Sequence, residues 1–197
     1  MSHIYPIFDQ ILQKSEKESL LKQKAKVFWM VGLSGSGKST LAKALERELH
    51  KLGHLTMLLD GDNLRTGLNN NLSFSDSDRL ENIRRAAEVA KLFVECGVVT
   101  ICSFISPTVE IRKLAEKVIG GENFKEVYVN APLEICEQRD VKGLYKKARN
   151  GEIKNFTGLD SPFEEPQNAW LEIKTAELDF DDCVEKLLKE VKKEIQL

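Results

Sequence analysis

Gly32-Leu33-Ser34-Gly35-Ser36-Gly37-Lys38-Ser39-Thr40 is the stretch on which the reading of this chain turns. It fits the pattern G-x-x-x-x-G-K-S/T. It stands between an apolar run, Val27-Phe28-Trp29-Met30-Val31, and the helical pattern Leu41-Ala42-Lys43-Ala44-Leu45-Glu46. Strand, loop and helix thus follow one another in the order a phosphate-binding loop requires. Glycines let the backbone curl so that successive N–H groups turn toward phosphate oxygens, and the helix N-terminus adds partial positive charge. Lys38 is placed to reach the β- and γ-phosphates, and the Ser39 hydroxyl to ligate Mg²⁺. A plain Gly/Ser-rich turn would leave Lys and Ser at these offsets unexplained. The expected ligand is a nucleoside triphosphate, contacted by Gly32, Leu33, Ser34, Gly35, Ser36, Gly37, Lys38, Ser39 and Thr40.

The rest of the chain sets bounds. At 197 residues and 42% hydrophobic content it can bury one substantial core and reads as a single domain. A net charge of -2 gives no reason to expect a polyanionic partner, so nucleic acid is not an expected ligand. The opening Met1-Ser2-His3-Ile4-Tyr5-Pro6 lacks a signal-peptide pattern and no apolar run reaches membrane-spanning length, so no membrane segment is expected. Cys96, Cys102, Cys136 and Cys183 form no C-x-x-C pair, and three of them fall within apolar patterns. A reducing, cytoplasmic setting without structural zinc follows. His50 and His54 flank the end of the first long helix and read as surface residues.

Apolar periodicity predicts strands near 27–31, 55–59, 98–103, 126–130 and 171–175, and helices near 38–52, 78–96, 107–119, 132–149 and 181–194. Ser15-Glu16-Lys17-Glu18 reads as a capping box opening a short helix through Leu21, in an N-terminal lead-in spanning 1–24 ahead of the main domain at 25–197. Gly53 and Gly97 fall where helix C-caps belong, and Pro107 and Pro132 where first-turn prolines belong. Short apolar strands alternating with amphipathic helices imply an α/β fold, a parallel sheet covered on both faces, whose ligands bind beyond the carboxyl ends of the strands. The least regular stretch, 142–167, mixes glycines and prolines with Lys, Arg and Asn. Its two readings are a solvated loop and a mobile cationic lid, and the second is favoured in a kinase-like domain.

Candidate chemistry follows the strands. Asp60-Gly61-Asp62 offers two carboxylates, one for a metal or its water and one as a base for a hydroxyl proton. An Asp-Gly turn is the competing reading. Arg79 and Asn82, three residues apart, share a helix face near its N-terminal end, and Arg65 with Arg79 would hold a doubly negative acceptor. Phe74, in a polar setting, is either a loop anchor or a platform for a base. Ser106, before Pro107, is equally an N-cap and a catalytic candidate. The third strand lacks a terminal Asp-x-x-Gly, which disfavours a signalling GTPase.

At these residues the chain resembles the adenylylsulfate kinases, enzymes that phosphorylate the 3′-hydroxyl of adenosine 5′-phosphosulfate (APS). The resemblance runs from about Lys24 to Thr175. It rests on GLSGSGKST, DGDNLR, the FS-x-x-DR-x-ENIRR segment, FISP, PLE-x-CE-x-RD-x-KGLYKKAR and GEIKNFTGLDSP, in that order. It implies a P-loop kinase fold of the nucleotide-kinase type, in three layers, with a central parallel sheet of about five strands and helices on both faces. It implies ATP as co-substrate and Mg²⁺ as cofactor. Among residues, it implies Asp62 as the base, Asp60 near the metal with Ser39, and Arg65, Arg79 and Asn82 as acceptor ligands. Phe74 and Phe156 become two faces of a clamp on the acceptor adenine, with Ile105 and Ser106 lining the site. Arg139, Lys142 and Lys154 neutralise phosphates, with Arg139 on the ATP side. Ser106 is further implied as a phosphoserine, although direct in-line transfer needs no such intermediate.

The chain departs from the family pattern at Ser73, Thr108-Val109 and Asn130. With no sulfurylase domain in view, a stand-alone kinase is expected, with a possible functional link to an ATP sulfurylase and a possible homodimer. Two rivals are a P-loop kinase for another small acceptor and a silent nucleotide-binding module that partners a sulfurylase. An adenine clamp argues against the first, and intact Lys38, Asp60 and Asp62 against the second.

Overall fold

The computed structural model describes residues 3–197. Its centre is a sheet of β1 (Val27–Val31), β2 (Thr56–Asp60), β3 (Val99–Ser103), β4 (Phe124–Asn130) and β5 (Leu171–Lys174), in the order β2-β3-β1-β4-β5. Every pairing is parallel. All five residues of β1 are buried, as expected of a central strand covered on both faces. Alternation then sends Val27, Trp29 and Val31 into one core and Phe28 and Met30 into the other.

The first face is covered by α4 (Asp76–Glu95) and α5 (Val109–Ile119) through Ile83, Ala86, Ala87, Ala90, Ile111 and Ala115. Three alanines on α4 share this core with the indole of Trp29, which stacks on Phe104 with ring centroids 4.9 Å apart. The second face is covered by α2 (Lys38–Lys51) and α8 (Phe180–Ile195), through Leu41, Leu45 and Leu49 of the first and Leu187 and Val191 of the second. The predicted three-layer arrangement of helices about a five-stranded parallel sheet is therefore the observed one. Cys102, Cys136 and Cys183 are buried and Cys96 is exposed.

Several local expectations are corrected. The lead-in helix α1 (Lys14–Leu21) begins two residues earlier than Ser15 as cap requires. The carboxylate of Glu16 accepts from the amide of Gln13 at 2.8 Å, which sets the cap at Gln13. The segment after β2 is a short helix, α3 (Gly61–Thr66), rather than a turn, and Asp60 caps it by accepting from the amide of Asp62 at 3.0 Å. The helix expected over 132–149 is two, α6 (Leu133–Arg139) and α7 (Leu144–Arg149). Between them Gly143 sits at φ 66°, and the Asp140 carboxylate accepts from the amides of Tyr145 and Lys146, both at 3.0 Å. A carboxylate capping a new N-terminus ends one helix and opens the next. Neither proline lies inside a first turn: Thr108 caps α5 and Pro132 itself occupies the cap position of α6.

The carboxyl ends of β1, β2, β3 and β4 thus share one edge of the sheet with α3, α6 and α7. Among the described residues no helix is long and apolar enough to cross a membrane.

Candidate active site

The loop after β1 is shaped by its glycines. Gly32 has φ 149° and Gly35 φ 77°. A Cβ on Gly32 would lie 2.4 Å from the carbonyl oxygen of Val129, and one on Gly35 2.7 Å from that of Cys136. No side chain fits at either place, and the curl that results is what exposes backbone donors to phosphate. The hydroxyl of Ser36 is buried without a partner in the protein, a polar atom that a bound phosphate group would satisfy.

Lys38 is buried, and its ammonium donates to the carbonyls of Gly32 at 2.9 Å and Leu33 at 2.7 Å. Burial lowers its pKa from 10.5 to about 8. The first helical turn of α2 carries Ser39, whose hydroxyl donates to the Asp60 carboxylate at 2.7 Å and lies 3.1 Å from the Ser103 hydroxyl. Parallel pairing of β2 with β3 sets Asp60 opposite Ser103, which explains the cluster. A hydroxyl and a carboxylate at the mouth of the loop are hard oxygen donors of the kind magnesium takes. Thr40 is exposed on α2.

Arg139, at the end of α6, donates to the carbonyl of Gly35 at 3.4 Å and to the hydroxyl and carbonyl of Thr175 at 3.1 and 2.7 Å. Thr175 in turn donates to the carbonyl of Ser36 at 2.8 Å. The loop is therefore braced from the end of β5, a contact the sequence did not disclose because nothing distinguishes Thr175 from an ordinary residue after a strand. A cleft of about 720 Å³ opens beside Leu33 and Lys174, but it touches none of Asp62, Arg65, Phe74 or Arg79, so it is separate from the expected acceptor side.

That acceptor side gathers beyond β2 and β3. Asp62, in the first turn of α3, is exposed and ion-paired to Lys142. Arg65 donates to the carbonyls of Leu72 and Ser73 at 3.1 and 3.0 Å and lies 4.3 Å from the centroid of the Phe74 ring. Partial burial, then the neighbouring Arg79, lower the pKa of Arg65. Two guanidinium groups near enough for one to lower the other's pKa favour an anion beside them. Phe74 is 63% exposed and is no core anchor. Arg79 donates to the carbonyl of Phe74 at 2.9 Å, to the Thr157 hydroxyl at 2.8 Å and to the carbonyl of Asn155, so one guanidinium ties the Phe74 loop to the 155–157 segment.

Phe156, Asn82, Lys154 and Ile105 stand in different surroundings from one another. Phe156 does not present an open face: it is 9% exposed, with its ring edge-on to Tyr145 at 4.9 Å. Asn82 is buried and accepts from the amide of Asn69 at 3.0 Å, a partner the sequence did not reveal. Lys154 is exposed. The carbonyl of Ile105 accepts from the amide of Gly32 at 3.4 Å, joining this region to the phosphate loop.

Ser106 is the clearest correction. It does not cap α5, a position that Thr108 takes. The residue is 2% exposed at φ 45°, and its hydroxyl accepts from the indole N–H of Trp29 at 3.0 Å. Its carbonyl accepts from Arg112 at 3.1 Å, and Arg112 is paired with Glu126 at 2.9 Å. A hydroxyl buried and engaged in this way holds a strained backbone in place, and the strain sits beside the site as strained positions often do.

A curled loop at the end of a central parallel strand, a lysine and a hydroxyl at its mouth, and carboxylates at the next strand end define a P-loop kinase of the nucleotide-kinase type. The family model for adenylylsulphate kinase matches residues 24–174, and the chain belongs to that family. An adenylyl-sulfate kinase of Bacteroides fragilis is 57% identical over 188 residues, covering 95% of this chain and 93% of the relative. One from Phocaeicola vulgatus is 58% identical over 187 residues, with 95% and 92% covered. The solved APS kinase of Mycobacterium tuberculosis, in complex with AMPPNP and APS, superposes with a TM-score of 0.83 at 46% identity, covering 86% of this chain and 98% of that one.

Proposed function

We propose that this chain transfers the γ-phosphoryl group of ATP to the 3′-hydroxyl of APS, giving ADP and 3′-phosphoadenylyl sulfate. The observation that carries this reading is a cationic and aromatic cluster of Arg65, Phe74 and Arg79 that begins on α3, the helix that carries Asp62. Arg65 and Arg79 supply charge for the phosphosulfate and the exposed Phe74 a face for the adenine.

Asp62 accepts the proton of the 3′-hydroxyl as the 3′ oxygen bonds to the γ-phosphorus and the bond from that phosphorus to the β–γ bridging oxygen breaks, releasing ADP. Loose transition states of this type leave the protein to position the reactants and stabilise charge. Lys38 leaves the loop carbonyls it holds to meet the β- and γ-phosphates, and Arg139 supports the loop from α6. Ser39 and Asp60 would hold Mg²⁺, which neutralises phosphate charge when bound. Ile105, Asn82 and Ser106 shape the acceptor side, and Phe156 acts from within the lid.

The segment 142–167, with Lys142 and Lys154, forms the lid of the 25–197 domain, and 1–24 is its lead-in. Lys142 reaching across to Asp62 supports that reading. The exposed apolar side chains Tyr5, Ile7, Phe8 and Leu12 ahead of α1 support a homodimer, in which a second copy would cover them. Four free cysteines support a cytoplasmic setting. The acceptor is itself the product of sulfate adenylylation, which supports a link to an ATP sulfurylase.

ADP release from Mg-ATP, measured with APS and with gluconate or adenosine as control acceptors, tests the reaction. Strict dependence on APS is expected. Release stimulated only by a control acceptor would overturn the acceptor assignment and leave the ATP site standing.

A further inference from the structure

Tyr145 is the second residue of α7 and is 1% exposed, although α7 lies over the mouth of the site rather than in the main core. Its hydroxyl donates to the carbonyl of Ser34 at 2.9 Å, across 111 residues of sequence. Its ring meets that of Phe156 edge-on, with centroids 4.9 Å apart and planes at 75°. Its amide is fixed by the Asp140 carboxylate at 3.0 Å, and Lys142, three residues before it, is paired with Asp62.

The bond to Ser34 bears directly on nucleotide binding. A peptide unit is planar and trans, so its C=O and the following N–H point in opposite directions. Anchoring the Ser34 carbonyl to Tyr145 therefore fixes the direction of the Gly35 N–H, one of the donors of the phosphate loop. A phosphate accepting from that N–H polarises the same peptide and strengthens the bond from its carbonyl to the phenol. Burial pushes the Tyr145 phenol well above its ordinary pKa, so the donor is retained at any working pH. The other side of the ring is Phe156, in the segment that Arg79 ties to the Phe74 loop.

We propose that Tyr145 is a positioning residue that couples the two substrate sites: nucleotide in the loop tightens its hold on Ser34, which sets Phe156 and the 155–157 segment for the acceptor. The proposal rests on the APS kinase reading above. Coupling of this kind is reciprocal, and couplings between sites typically span about 5- to 150-fold in affinity.

The test is calorimetric titration of APS into the protein with and without saturating AMPPNP, for the wild type and Tyr145→Phe. The expected result is APS binding several-fold tighter with AMPPNP in the wild type, and an enhancement reduced toward one in Tyr145→Phe. APS affinity without nucleotide should change by less than about threefold, since the ring is kept. An enhancement equal in both proteins, or none in the wild type, overturns the coupling while the acceptor assignment stands. No binding of APS to the wild type overturns both. Should Tyr145→Phe fail to fold, hydrogen exchange of the wild type with AMPPNP alone decides the matter. Slowed exchange over residues 140–158 is expected, and unchanged exchange there overturns the proposal.

Discussion

The ammonium of Lys142 and the carboxylate of Asp62 form an ion pair across 80 residues of sequence, joining the segment after α6 to the first turn of α3. Both side chains are largely exposed, at 59% and 70%, so the pair adds little to folding stability, in the range of about 0–1 kcal/mol. Its place is better explained by chemistry. Asp62→Asn is expected to lower kcat by about 10²- to 10⁴-fold, the usual contribution of a general base. The Kd for Mg-ATP and the Tm should stay close to wild type. Steady-state kinetics with APS checks this, and a near-normal kcat would remove Asp62 from the base role. Lys142→Met should reduce kcat/KM for APS by about tenfold or more, the loss of one charge-assisted contact of about 1.5–3 kcal/mol.

Phe74 lies outside the core, and its ring packs on the exposed side against the Arg65 guanidinium, 4.3 Å from its centroid. Phe74→Ala is expected to weaken APS binding by about 1–3 kcal/mol, the value of one base stack, while thermal stability stays nearly unchanged. Direct titration with APS reads the first and a melting curve the second. Unchanged APS affinity would return the ring to the surface without a function.

Arg79 holds three acceptors with one planar fork, which an ammonium cannot reproduce. Arg79→Lys should raise the KM for APS by about tenfold, the loss of roughly one hydrogen bond to a charged group. The Kd for ATP should be unaffected. Equal losses for both substrates would show that the residue serves the fold instead.

Ser106→Ala separates structure from chemistry. It leaves the buried Trp29 indole N–H without an acceptor, which costs about 1–3 kcal/mol. Turnover of the folded fraction should persist, and no label should pass from γ-labelled ATP to the protein. A stable variant without activity would restore a catalytic role to the hydroxyl.

Lys38 makes nucleotide binding depend on pH. Its pKa of about 8 means the ammonium empties as pH rises through that value. Bound phosphates favour the ammonium, so binding above about pH 8 should take up a proton and weaken with rising pH, while binding near pH 7 should take up almost none. Calorimetry in two buffers of different ionisation enthalpy counts the protons. Stability runs the other way. The folded pKa lies below the unfolded value of 10.5, so the folded protein binds fewer protons between the two. This group therefore adds stability as pH rises through that window, and at neutral pH burying its charge costs about 3 kcal/mol.

Much of this was legible in the chain itself. The phosphate loop, the alternation of strands and helices and the positions of Asp60, Asp62, Arg65 and Arg79 follow from local pattern, because curled glycine loops, apolar periodicity and residues at strand ends are short-range properties. The α6–α7 break was hidden, since the Asp140 carboxylate that caps α7 looks in sequence like one more polar residue on an amphipathic helix.

What sequence alone determined was the sheet, its order of layers and the identity of the nucleotide loop. Tertiary structure decided the contacts between segments far apart in the chain: Trp29 on Ser106, Thr175 and Arg139 on the loop, Asn69 on Asn82, Tyr145 on Ser34. It also decided that Phe156 lies buried against Tyr145 while Phe74 stands open. The physical reason is the same in each case. A hydrogen bond or ring contact depends on where two side chains meet once the sheet and its covering helices are assembled, and local pattern holds no record of that meeting.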